Sequence, residues 1–158
     1  GGIGWLSELG RVRRCETVLQ VGGIMNGTCN YILDSMTRLG MDYADALRQA
    51  QKLGYAEANP STDVDGIDTW HKLILSSNIG FGVSLERENI PAAGISRITK
   101  EDVDNFRAHN LVCKLVSYSR KHKNCFNFDL EAYPPRATES VQEYLKFNVP
   151  TVTIKESW

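Results

Sequence analysis

Apolar positions change their spacing several times along the chain, and each change predicts an element. Between Arg11 and Ile24, Val12, Cys15, Val18, Val21 and Ile24 stand among charged or polar residues, and their β-branched enrichment predicts a strand through Cys15–Val21. A helix is expected from about Asn26, through Tyr31, Ile32, Met36 and Leu39, to Gly40, which suits the left-handed position that closes a helix. Asp42 can cap the next helix, whose Ala46, Leu47, Ala50 and Leu53 are expected to face inward before Gly54 ends it. From about Val64, the three- and four-residue steps of Ile67, Trp70, Ile74 and Leu75 mark another buried helical face, which Gly80-Phe-Gly82 interrupts. Leu85 to Ala93 reads as a loop around Pro91, and Thr99-x-x-Asp102 as the cap of a helix through Phe106.

Leu111 to Tyr118 then sets six apolar residues around Lys114, as a buried strand would. Lys114 itself reads as an edge-strand or snorkelling lysine. Ser119–Asn124 is expected to turn, Cys125–Tyr133 to answer as a strand, and Val149–Ile154 to add another. Strands set apart from a helical cluster indicate an α+β fold, an open mixed or largely antiparallel sheet with helices packed on one face. A chain of 158 residues makes one ordinary domain, large enough to bury roughly two-thirds of its unfolded surface.

A net charge of -1 with 23% charged residues lacks the basic excess that binding a phosphate backbone needs, so no nucleic-acid partner is expected. No apolar run approaches the ~20 residues that span a bilayer and no signal segment opens the chain, which points to the cytoplasm. Cys15, Cys29, Cys113 and Cys125 show no Cys-x-x-Cys spacing and read as free thiols. His71, His109 and His122 have no ligand spacing either, so no metal site is expected, and His71 reads as packing or surface. Gly1-Gly2 lacks the strand and βαβ unit that would make it a dinucleotide loop.

The chemistry concentrates in Gly54 to Lys72. Glu57, Asp63, Asp65 and Asp68 precede a single lysine, Lys72, and the acids occupy a loop that leads into a helix. Asp65, Asp68 and Lys72 stand at i, i+3 and i+7, on one side of that helix. Two readings fit the spacing: a proton-transfer site, or the ordinary helix-stabilising pair of Asp68 with Lys72, worth roughly 0.2–0.5 kcal/mol. Upstream, Gly27 lets a ligand approach the backbone, and Thr28 offers a hydroxyl at a helix start, or else simply caps it.

Three segments together carry a resemblance. Asn26-Gly-Thr-Cys-Asn-Tyr-Ile-Leu33, Gly54-Tyr-Ala-Glu-Ala-Asn-Pro60 and Asp63-x-x-Gly66-x-Asp68-x-x-x-Lys72 occur in the order and spacing of the homoserine dehydrogenase substrate domain. The match runs from about Gly22 to Ser119. Asn59 stands where the family usually has an acid, Cys29 replaces a common threonine, and the residues after about Arg120 follow no family motif.

That resemblance implies an open sheet with helices on one side, a homodimer formed through it, and reversible reduction of aspartate 4-semialdehyde to homoserine in the biosynthesis of threonine, methionine and isoleucine. It implies NAD or NADP, bound mainly by a nucleotide-binding domain absent from this chain, which would begin just after that domain. An amino-acid substrate would offer its ammonium to Glu57 and its carboxylate to Gly27 and Thr28, with Tyr55 shaping the pocket. Lys72 would give a proton to the alkoxide and stabilise it, with Asp68 orienting the lysine. By similarity, Asp63 completes the polar wall. The competing functions are a non-catalytic amino-acid-binding or dimerisation module that keeps this pocket, and an ion-paired helical domain with no ligand.

Overall fold

The computed structural model describes residues 4–86, 90 and 92–121, and as backbone alone residue 122 and strands 125–128, 132–133 and 152–155. Along these residues run α1 (Trp5–Cys15), β1 (Gln20–Gly23), α2 (Gly27–Leu39), α3 (Tyr43–Lys52), α4 (Ser61–Val64), α5 (Ile67–Phe81), α6 (Lys100–Ala108), β2 (Val112–Cys113), β3 (Ser117–His122), β4 (Cys125–Phe128), β5 (Ala132–Tyr133) and β6 (Val152–Lys155). Strands β1, β3, β4 and β6 form one antiparallel sheet in that order, with Val21 opposite Ser119 and Phe126 opposite Ile154. A second antiparallel pair joins β2 to β5. Helix α5 lies on β1 and β3, and α1 lies on α5. This is the α+β arrangement expected, with every described strand pair antiparallel.

The helix boundaries follow from local chemistry. Asn26, Asp42 and Thr99 cap α2, α3 and α6, and Thr99 with Asp102 closes a reciprocal box. The Thr99 hydroxyl and then its amide hold the Asp102 carboxyl below its ordinary value. Gly40, at φ 65°, ends α2 in the left-handed conformation.

Several expectations need correction. The strand placed at Cys15–Val21 starts at Gln20, and the chain from Trp5 to Cys15 is helical. Val12, Cys15 and Val18 recur every third residue, which is not the two-residue period of a strand. Leu9 is the buried residue of α1, sharing a cluster with Val21, Leu73 and Phe81. The Leu111–Tyr118 strand divides into β2 and β3, because Leu115 and Val116 turn into the core between them. The turn predicted at Ser119–Asn124 is occupied as far as His122 by β3, whose Ser119 is buried in a hydroxyl–hydroxyl bond with Ser77. Cys125–Tyr133 is two strands in different sheets, β4 and β5. The Val149–Ile154 strand is β6 from Val152, with 149–151 outside the described residues. The same holds for 87–89 and Pro91 of the predicted loop.

Leu53 and Leu75 are exposed rather than inward-facing. Ahead of α5 the chain breaks: α4 ends at Val64, Gly66 takes φ 80°, and α5 starts afresh at Ile67. The buried face of α5 carries Trp70, Leu73, Ser77 and Phe81 at three- and four-residue steps, and Leu75, two residues from both Leu73 and Ser77, points away from it. The same break separates Asp65, which is exposed, from the helix of Asp68 and Lys72, so the three do not share one helix side.

Two cores result. One gathers Cys29, Ile32, Leu33 and Met36 of α2 with Ala46, Ala50, Val64, Ile95 and Val103, and the other joins α1, β1 and α5. The seam where α2, α4 and α5 meet is pinned by a backbone crossing. A Cβ on Gly66 would lie 2.0 Å from the Ala93 carbonyl oxygen, one on Gly94 would lie 2.1 Å from the Val64 carbonyl oxygen, and the Ile95 amide donates to that same oxygen at 2.7 Å. Gly66→Ala combines a left-handed φ with contact against backbone that has no room to yield. It is expected to lose at least ~2 kcal/mol of stability in urea denaturation, and a loss under ~0.5 kcal/mol would show that the crossing is slack.

Candidate active site

Helix α2 opens the site. The Asn26 side-chain oxygen accepts the Cys29 amide at 2.8 Å, so Asn26, not Thr28, is the cap. The amides of Gly27 and Thr28, in the first turn, have no acceptor within the helix. A Cβ added at Gly27 would meet nothing within 4 Å, so the glycine leaves space over those amides. A helix start with free amides and room above it suits a carboxylate.

The Asn26 amide nitrogen faces the other way. It donates to Asp63 Oδ1 at 2.6 Å and to Asp68 Oδ2 at 2.8 Å, and the residue is 4% exposed. Lys72 Nζ donates to the same Asp68 oxygen at 2.6 Å and to the Met25 carbonyl at 2.9 Å. An ammonium has three N–H groups, so two are engaged here. The lysine side chain is 50% exposed and Asp68 28%, and a pair this open contributes only a few tenths of a kcal/mol to stability. Asp63, Asp68 and Lys72 are thus brought together, with Asn26 at the centre. In the sequence Asn26 marks a helix start and opens the Asn26–Leu33 segment, with no role of its own. Its signal in the sequence is that, among the usual cap residues, asparagine alone also carries an amide donor.

The Gly54–Glu57 loop is tied down on both sides. The Thr28 hydroxyl donates to the Tyr55 carbonyl at 2.6 Å, and Gln51 Nε2 donates to the Glu57 carbonyl at 3.0 Å. Ala56 is buried between them. Because its one proton is committed to Tyr55, Thr28 offers a ligand its backbone amide rather than its hydroxyl. Nothing in the spacing of Gln51 marks this role in the sequence. The exposed Tyr55 ring stacks on Tyr31, with centroids 4.6 Å apart. Among the described residues, the exposed carboxylate of Glu57 has no hydrogen-bond or ion-pair partner.

The family model for homoserine dehydrogenase matches residues 5–147. The chain belongs to the homoserine dehydrogenase family. It is 36% identical over 134 residues to the homoserine dehydrogenase of Helicobacter pylori, covering 85% of this chain and 31% of that protein. With the Mycobacterium tuberculosis homoserine dehydrogenase it shares 42% identity over 102 residues, which is 65% of this chain and 23% of that protein. The crystal structure of a homoserine dehydrogenase from Thiobacillus denitrificans superposes with a TM-score of 0.79 at 35% identity, covering 87% of this chain and 32% of that one. The chain spans less than a third of the length of each.

Cys29, which stands where the homoserine dehydrogenase family commonly has a threonine, is fully buried, and its thiol donates to the Asp63 carbonyl at 3.1 Å. Burial first, then the charges of Asp63 and Asp68, push the thiol from 9.0 up to about 12. Burial also raises Cys113, to about 11, and Tyr43. In the unfolded chain the Cys29 thiol loses its proton near 9, while the folded one keeps it. Its contribution to stability is therefore full below that pH and fades as pH rises towards about 12. Urea midpoints measured from pH 8 to 11 are expected to fall with pH, and to fall less steeply in Cys29→Ala. Parallel slopes in the two proteins would contradict this.

Proposed function

We propose that this chain is the substrate-binding part of an enzyme that interconverts homoserine and aspartate 4-semialdehyde. The observation that supports this best is the Lys72 ammonium, held by Asp68 and the Met25 carbonyl with one N–H still to give and half its surface open. The chain belongs to the homoserine dehydrogenase family, and its share of its relatives' length leaves room for a nucleotide-binding domain outside residues 1–158. That domain would supply NAD or NADP, whose reduced nicotinamide provides the hydride.

In the reduction, the substrate carboxylate lies at the amides of Gly27 and Thr28, and Glu57 accepts from the substrate ammonium. Tyr55, braced by Tyr31 and by Thr28, forms a wall of the pocket. As the carbonyl carbon gains the hydride, its oxygen becomes an alkoxide, and Lys72 stabilises that charge and then transfers its proton. The product is homoserine, and the lysine recovers a proton from solvent. In the oxidation Lys72 accepts the hydroxyl proton instead. Asp68 holds the lysine in place and Asp63 completes the polar wall.

The same proposal includes the cytoplasm, a place in threonine, methionine and isoleucine biosynthesis, and a homodimer. Among the described residues no helix is long and apolar enough to cross a membrane. For the homodimer, Val21, Ser117 and Ser119 are buried on the α5 side of the sheet, while Gly22 and Arg120 on the opposite face are exposed. The apolar run Leu111–Val116 does not supply that contact, because Cys113, Leu115 and Val116 are buried in this chain's own core.

In the complete polypeptide, Lys72→Met is expected to lower kcat by ~10²–10⁴-fold with a smaller change in KM. Lys72→Arg keeps the charge but holds its proton, so a comparable loss is expected. Near-normal kcat in the arginine variant would overturn the proton-transfer role. Residues 1–158 alone are expected to show no turnover of homoserine with added NADP, because the hydride donor is not held against the substrate. Measurable turnover would contradict that division of labour.

A further inference from the structure

Lys72 is placed by the two residues that precede α2. The Met25 carbonyl accepts a hydrogen bond from it directly, and the Asn26 amide donates to Asp68, the lysine's other partner. Asp68 Oδ2 thus lies between two donors, and its carboxylate cannot rotate without losing one of them. Asn26 also donates to Asp63 Oδ1 on α4, so one nitrogen joins α2, α4 and α5. We infer that Asn26 is a positioning residue for the reaction of Lys72, fixing the lysine through Asp68 and offsetting the repulsion between Asp68 and Asp63.

Capping does not explain this residue. Aspartate and serine cap a helix about as well as asparagine, since the cap needs only an acceptor for the Cys29 amide. What aspartate lacks is the donor, and what serine lacks is a second one. Both amide hydrogens of Asn26 point at carboxylates, and the residue is buried, where an unanswered carboxylate is costly. The groups around it are Asp63 from α4, Asp68 and Lys72 from α5, and the Cys29 thiol of α2, which donates to the Asp63 carbonyl. An aspartate at position 26 would put a third carboxylate among them. A lysine facing more negative charge holds its proton more firmly.

The inference rests on the proposed role of Lys72, and its test therefore runs Asn26→Asp, Asn26→Ser and Lys72→Met side by side in the complete enzyme. Both Asn26 variants keep an acceptor for the cap, and thermal unfolding identifies any that fail to fold, in which case the other decides. Expected are a 10- to 100-fold loss of kcat with KM changed less than about threefold, together with an upward displacement of the alkaline rise in homoserine oxidation in Asn26→Asp by about one pH unit. A merely structural asparagine would lower the unfolding temperature and leave the pH profile in place. The inference is overturned if a folded Asn26 variant keeps kcat within about twofold and its pH profile unshifted while Lys72→Met loses activity. If Lys72→Met itself retains kcat, the role of the lysine fails, and the inference fails with it.

Discussion

Two carboxylates from different helices reach the same amide nitrogen, and much of the structure exists to make that meeting possible. Asp63 lies on α4 and Asp68 on α5, and a continuous helix through both would set them five residues apart, on different sides. The left-handed turn at Gly66 folds the chain between them, and the Gly66–Gly94 crossing admits no Cβ on either strand of the chain. Asn26 then arrives from the start of α2, where its oxygen is already engaged in capping. Like charges this close are kept only where donors answer them, and here an amide and an ammonium do so.

The electrostatic arrangement and the mechanical one support each other. The first turn of α2 presents free amides in the open space beside Gly27, and its Thr28 hydroxyl holds the loop that carries Tyr55 and Glu57. One helix N-terminus thus anchors a loop on one side and the carboxylates on the other. The Asp68–Lys72 pair is too exposed to contribute much to folding, which fits a pair kept for orientation better than one kept for stability.

Most of this was legible in the chain, and the misses have identifiable causes. Caps at Asp42 and Thr99 and the stop at Gly40 were readable because each depends on one residue's chemistry. The strand of Cys15–Val21 was misplaced because β-branched content outweighed a three-residue period. Asp65 was grouped with Asp68 because spacing arguments assume an unbroken helix, and Gly66 breaks it. Asn26 reads locally as no more than the start of a helix, with the cap offered to Thr28 instead. Its second bond set depends on contacts 37 and 42 residues away, which no local pattern reports. The hydroxyl of Thr28 was offered to a ligand for the same reason, since its bond to Tyr55 spans 27 residues.

The most direct test of the lysine's role is a crystal structure of the complete enzyme with homoserine and oxidised nicotinamide cofactor bound. Lys72 Nζ is expected about 2.6–3.2 Å from the homoserine hydroxyl oxygen, using its third N–H, with Asn26 still bridging Asp63 and Asp68. A homoserine hydroxyl bonded to a different group, with Lys72 still turned to Asp68 and Met25 and out of reach, would contradict it.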